Sequence, residues 1–198
     1  LDYPLFEYTP YETALASKLV DVIKYEDLDI LHVHYAIPHA NVAYLAKKIL
    51  LTEGKYIPVV TTLHGTDITL VGKNPTFAPV VTFSINKSDG VTAVSESLKK
   101  STYDHFKINK DIEVIYNFID FERFRRSDKE HFKKAIAPDG EKILIHVSNF
   151  RKVKRIGDVI KVFKRVHDQM ASKLLLVGDG PERSDAERLC RELNICED

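Results

Sequence analysis

Six short apolar runs punctuate the chain, and each breaks into polar or glycine-containing sequence at its end: DILHVHYAIPH (29–39), IPVVTTLHGTD (57–67), GVTAVSES (90–97), DIEVIYNFID (111–120), KILIHVSNFRK (142–152) and KLLLVGDGPER (173–183). Runs of this length, rich in Val, Ile and Leu, predict buried strands. Between several of them apolar positions recur at helical spacing, over residues 12–24, 41–50, 96–106, 156–166 and 182–193. Strand and helix therefore alternate, which predicts an α/β fold with largely parallel sheets. Such sheets bind ligands in the crevice beyond the carboxyl ends of their strands. The sharpest candidate is IPVVTTLHGTD, where a β-branched run gives way within a few positions to His64, Gly65, Thr66 and Asp67. A hydrophilic turn after a strand is the competing reading for that segment alone.

Composition narrows the function. The chain has 198 residues, 44% of them hydrophobic, enough for one large or two small packed domains. Lysine plus arginine equals aspartate plus glutamate at 29 each, so no global field draws it to nucleic acid or an anionic membrane. No apolar run is long enough for a membrane span, and the first residues, LDYPLFEY, lack a cationic segment followed by an apolar one. A cytoplasmic protein is expected. Cys190 and Cys196 do not have the paired spacing of a zinc site and are expected to be free thiols.

The run FIDFERFRRSDKEHFKK is charged and aromatic, follows a strand and precedes a fresh one. It predicts a division into residues 1–120, the C-terminal part of one domain, and 121–198, the first part of another. The chain starts without methionine or a glycine-rich first strand and turn, and stops at NICED where another strand is due. It reads as an internal piece of a longer protein.

Four cations, Arg151, Lys152, Lys154 and Arg155, fall in five positions between strand KILIHV and a helix expected from Ile156. A helix N-terminus already offers partial positive charge and free N–H donors, so clustered cations there predict a phosphate site. The alternative is a solvated basic loop. In GDGP, Gly178 and Gly180 form a second strand-to-helix turn, with Pro181 suited to a first helical position. It fits a surface for a base or ribose, or a plain turn. His32 and His34 share one face of a strand and His39 follows; crevice histidines satisfied by hydrogen bonds are expected rather than metal ligands. No Asp-x-Asp pair follows a strand, so no metal and no other cofactor is expected, and cationic side chains are left to hold a diphosphate. Lys99, Lys100, Lys107 and Lys110 lie opposite Leu98, Tyr103, Phe106 and Ile108, a solvated face over a core stripe.

Taken together, HVHYAIPHA, TTLHGTD, VTAVSESL, YNFID, SNFRKVKR and LVGDGPE resemble the retaining family 4 glycosyltransferases of GT-B fold, over essentially the whole chain. HYAIPHA, LHGTDIT, YNFID and HVSNFRKVKR draw the resemblance toward members that move N-acetylglucosamine from UDP-GlcNAc to L-malate, the first step of bacillithiol biosynthesis. The resemblance implies portions of two Rossmann-like domains, the first holding acceptor and the second the nucleotide sugar. It implies that His64 is the catalytic histidine against the donor sugar and that Lys154 grips the donor diphosphate. Asn149 stands where many relatives carry arginine, and Arg151 is the candidate second cation. Gly178 joins them on the donor side, Tyr35 and Thr62 line the acceptor pocket, and Asn117 is a cleft residue without an assigned task. The family's Glu-x-Phe-Gly-x-x-x-x-Glu segment is not in this sequence, so the chain alone is expected to have little activity. Assembly into a homo-oligomer is left open. Competing readings are another acceptor, a UDP-sugar epimerase, and a non-catalytic nucleotide-sugar module.

Overall fold

A computed structural model describes residues 10–127 and 129–196. The chain divides into two compact units, Leu1–Asp120 and Phe121–Asp198.

In the first unit, strands β1 (Leu31–His34), β2 (Val59–Leu63), β3 (Gly90–Ala93) and β4 (Ile112–Val114) form one parallel sheet in the order β1-β2-β3-β4. Adjacent parallel strands need a crossover between them. Helices α2 (Asn41–Thr52), α3 (Ala78–Lys87) and α4 (Glu96–His105) supply the crossovers, and α1 (Tyr11–Tyr25) packs on α2. Both buried clusters pack on one face of the sheet, the face of Leu31, Val59, Leu63, Val91 and Ile112, while His32, Thr62 and Thr92 lie on the opposite face. Leu63, Ile68, Val81, Ile85 and Ile112 form one buried cluster, and Ile23, Leu50, Ile57 and Val59 belong to the other. Full burial of each such side chain is worth about 2 kcal/mol, and alternate residues of the strands supply the sheet's share. Ser95 starts α4 by accepting the Leu98 N–H at 3.1 Å, and the helix stops where Phe106 turns extended and buries its ring.

In the second unit, α5 (Glu130–Ile136) precedes β5 (Lys142–Val147), α6 (Ile156–His167), β6 (Ser172–Val177) and α7 (Arg183–Glu192). Strands β5 and β6 pair in parallel from Lys142 with Ser172 to Val147 with Val177. Ile156, Ile160 and Phe163 fall on one face of α6, at helical spacing, and pack with Phe150, Ala186 and Ile195.

All six runs contain strands and all five helical segments contain helices, with ends displaced by a few residues. Strand β4 covers only three residues, so most of DIEVIYNFID lies past the sheet. Pro181 sits in the turn before α7 rather than inside it. Two helices have no counterpart in the expectation. Helix α3 reads as β-branched sequence, APVVTFSINK, yet buries Val81, Ser84 and Ile85 at helical spacing, so packing overrides local preference. Helix α5 buries no residue, and at seven residues it is too short for its Phe132 and Ile136 to show a helical period.

Candidate active site

The first three strands of the first unit end at one level, because register pairs His34 with Thr62 and Thr62 with Thr92. A side-chain chain crosses them. The His32 Nε2 lies 2.8 Å from the Thr62 hydroxyl, which lies 2.7 Å from the Thr92 hydroxyl. Two positions further along β1, His34 Nδ1 lies 2.7 Å from His64 Nε2. His39 donates its Nδ1 proton to the His34 carbonyl at 2.6 Å. The Tyr35 and His64 rings are 5.0 Å apart. His32, His34, Thr62, His64, Thr92 and Asn117 line one cavity of about 360 Å³. Of the residues singled out in the sequence for the first unit, Thr62, His64 and Asn117 therefore meet there. Tyr35 lies beside them, its ring tilted against His64, and also lines a larger, mainly apolar cavity of about 680 Å³ with Asn41, Asp67 and Phe77. The crevice histidines are hydrogen-bonded as expected.

Asp67 holds the two loops together. Its carboxylate is 2% exposed and accepts the Ala36 N–H at 2.8 Å and the Gly65 N–H at 3.0 Å. Ala36 follows β1 and Gly65 follows β2, so a single side chain ties the loop carrying Tyr35 to the loop carrying His64. Gly65 has φ 117°, a conformation that a side chain would strain. Tyr35 takes φ 76° and ψ 135° despite having a side chain, a conformation that costs about 1–3 kcal/mol and is found where surrounding structure over-determines it. Sequence reasoning quoted Asp67 as part of HGTD without seeing this tie. It also missed Thr92 and the His34 to His64 contact, which bring together residues 30 apart in the chain.

Burial lowers the affinity of His64 for a proton, and the neighbouring His34 and then His32 work in the same direction; Asp67 opposes them without reversing the result. His64 is therefore neutral at pH 7. A neutral imidazole at a strand end can offer one lone pair or one N–H to a ligand, but not a full positive charge.

In the second unit the loop after β5 and the loop after β6 are knitted by backbone bonds. The Ser148 N–H reaches Val177 O at 3.1 Å, Phe150 N–H reaches Asp179 O at 2.9 Å, and Glu182 N–H reaches Phe150 O at 2.9 Å. Asn149 and Gly178 are thereby neighbours across two loops. Gly178, at φ 143°, is needed for the contact itself: a methyl there would lie 1.9 Å from Ser148 O. Gly178 also lines a cavity of about 450 Å³ with Cys190 and Cys196. Residues Lys152–Lys154 form a single 3-10 turn before α6, with Arg155 left-handed at φ 53° between the two. Arg155 pairs with Asp158 in the first turn of α6 at 2.5 Å. Arg151, Lys152 and Lys154 are exposed and have no ion-pair partner among the described residues. Three uncompensated cations beside the start of a helix can hold a phosphate group.

Among the described residues no three His, Cys, Asp or Glu side chains gather as a metal-ligand set. Among them, too, no helix is long and apolar enough to cross a membrane.

Two parallel α/β units, each with its chemistry at the carboxyl ends of its strands, define the GT-B class of glycosyltransferase folds. The chain belongs to glycosyltransferase family 4: residues 1–123 match the pattern of Glycosyltransferase Family 4 and residues 127–198 that of Glycosyl transferases group 1. It is 51% identical over 194 residues to N-acetyl-alpha-D-glucosaminyl L-malate synthase of Bacillus anthracis, a match covering 98% of this chain and 50% of that protein. Among solved structures, Anabaena HepE in complex with UDP and glucose superposes with a TM-score of 0.73 at 18% identity, covering 92% of this chain and 49% of that one. Sucrose-phosphate synthase from Thermosynechococcus elongatus gives 0.68 at 19% identity, covering 98% and 51%. The chain spans about half the length of the curated relatives it matches.

Proposed function

We propose that the protein, as part of a longer chain, transfers N-acetylglucosamine from UDP-GlcNAc to the hydroxyl of L-malate with retention of configuration, the opening step of bacillithiol biosynthesis in the cytoplasm. The observation that carries this reading is the 51% identity to the Bacillus anthracis malate enzyme across 98% of the chain. The first unit holds the acceptor and the second the donor. Lys154 and Arg151 neutralise the donor diphosphate, with Asn149 and the Gly178 turn beside it. Preorganised charge of this kind is the largest contribution such a site makes, because the leaving group gains negative charge as the glycosidic bond breaks. Tyr35 and Thr62 contact the malate. His64 faces the sugar, where carbon C1 gains positive charge.

Departure and attack on the same face of the sugar account for retention. Asp67, the carboxylate whose charge acts on His64, has both oxygens committed to backbone N–H groups and is not placed as a covalent nucleophile. Cations take the place of a metal in this reading, so turnover persists in excess chelator. The test is mass spectrometry of products after incubation of the complete, full-length protein with UDP-GlcNAc and a panel of hydroxy acids. N-acetylglucosaminyl malate as the main product supports the proposal. A different main acceptor, or loss of turnover with chelator, overturns the corresponding part of it, and UDP binding without transfer overturns the whole.

A further inference from the structure

His64 carries the sugar-side chemistry in the reading above, yet its Nε2, the ring nitrogen furthest from the backbone, is already occupied by His34 Nδ1 at 2.7 Å. Between two neutral imidazoles that contact holds one proton, so one ring donates and the other accepts. If His34 donated, both rings would carry their proton on Nδ1. If His64 donates, both carry it on Nε2, the lower-energy form of a neutral imidazole side chain. The second arrangement also turns the Nε2–H of His34, an exposed side chain, toward water.

We propose that His34 is a positioning residue: it accepts the Nε2 proton of His64, fixes that ring, and leaves His64 Nδ1 as an unprotonated acceptor. No hydrogen bond of the described residues uses that Nδ1. Which ring nitrogen of a histidine is available is set by the bond the other makes, and here the partner is a second histidine rather than a carboxylate. The consequence for transfer, which rests on the proposed function, is that His64 offers a lone pair and not a proton to the anomeric side of the donor. A lone pair favours a centre gaining positive charge, whereas an N–H would repel it. The titratable groups about His64 are His32 and His34 on β1, Tyr35 and His39 after it, and Asp67 after β2.

The test is a two-bond proton–nitrogen correlation spectrum of the 198-residue chain labelled with nitrogen-15 histidine, recorded well above the His64 titration. His64 is expected to show a protonated Nε2 and a bare Nδ1. In His34→Ala this signature is lost to an average of both tautomers. In His34→Asn, whose amide oxygen can occupy the place of Nδ1, the signature returns. A protonated Nδ1 in the unaltered chain overturns the proposal even if the variants do not fold, and so does an unchanged His64 signature in a folded His34→Ala. UDP titrated into the full-length protein tests the transferase reading separately: absent binding there counts against that reading and leaves the tautomer result standing.

Discussion

Gly178 lies so close to Ser148 that a methyl group built on its α-carbon would sit 1.9 Å from the Ser148 carbonyl oxygen and 3.1 Å from the Phe150 ring. The contact joins the loop that carries Asn149 and Arg151 to the turn before α7. Gly178→Ala combines an overlap that the backbone must relieve with a φ of 143°, which a side chain strains. The expected loss is about 3 kcal/mol of stability in the second unit. Urea unfolding of the variant measures it, and a loss under about 1 kcal/mol would show that the two loops are free to separate.

Lys154 is exposed and has no ion-pair partner among the described residues, so its replacement leaves the fold intact and removes charge from the proposed diphosphate site. Lys154→Ala is expected to lower transfer by about 100-fold or more, the scale of removing one preorganised group facing developing negative charge. Steady-state kinetics with UDP-GlcNAc measure the loss, and far-ultraviolet circular dichroism checks the fold. A change of only a few-fold would move the diphosphate elsewhere. The same comparison with Arg155→Ala should show the smaller effect, because Asp158 already engages Arg155.

The alternating pattern made the two parallel units legible, because a strand must be apolar where its face is covered and a crossover helix must be amphipathic. Helix α3 was not, since Val80, Val81 and Thr82 speak for a strand until the placement of Val81 and Ile85 against the sheet is known. At the candidate site, polar residue types past strand ends pointed to His64 and the cations, and the family resemblance to Thr62, which the structure places in one cavity with His64. Contacts between strands were hidden. The His34 to His64 bond depends on register, and the reach of Asp67 to Ala36 depends on how two loops fold back, neither of which is written in local sequence.

At the opposite end of the sheet Asp89 accepts from Lys47 Nζ at 2.5 Å, from the Tyr56 hydroxyl at 2.8 Å and from the Val59 N–H at 2.7 Å. Burial works against the charge of Asp89, but the hydrogen bonds from Lys47, Val59 and Tyr56 outweigh it and hold the carboxyl below its ordinary range. A depressed folded value means that the unfolded chain takes up the proton first as pH falls. The stabilisation is therefore complete above the unfolded value, about 3.9, and is lost as pH drops through the folded one. Asp89→Ala should cost about 1–3 kcal/mol at pH 7 by stranding the Val59 N–H. The deficit relative to the unaltered chain should shrink below about pH 4, which thermal melts across pH measure. A deficit that stays constant with pH would mean that the carboxylate charge contributes nothing.

Asp67 offers the sharpest separation between holding the site and performing the reaction. It is buried and fixes the loops of Tyr35 and His64 through the Ala36 and Gly65 N–H groups. Asp67→Ala strands both donors and should cost about 3 kcal/mol, whereas Asp67→Asn keeps one acceptor oxygen and should cost about half as much. Asp67 is also the influence that favours protonation of His64, against burial and its histidine neighbours. Removing the carboxylate charge in Asp67→Asn should therefore move the His64 titration to still lower pH, with the ring neutral over a wider range. A nitrogen-15 histidine titration reads this directly. An upward movement, or none, would show that the carboxylate does not act on the ring and that the loop tie is its whole contribution.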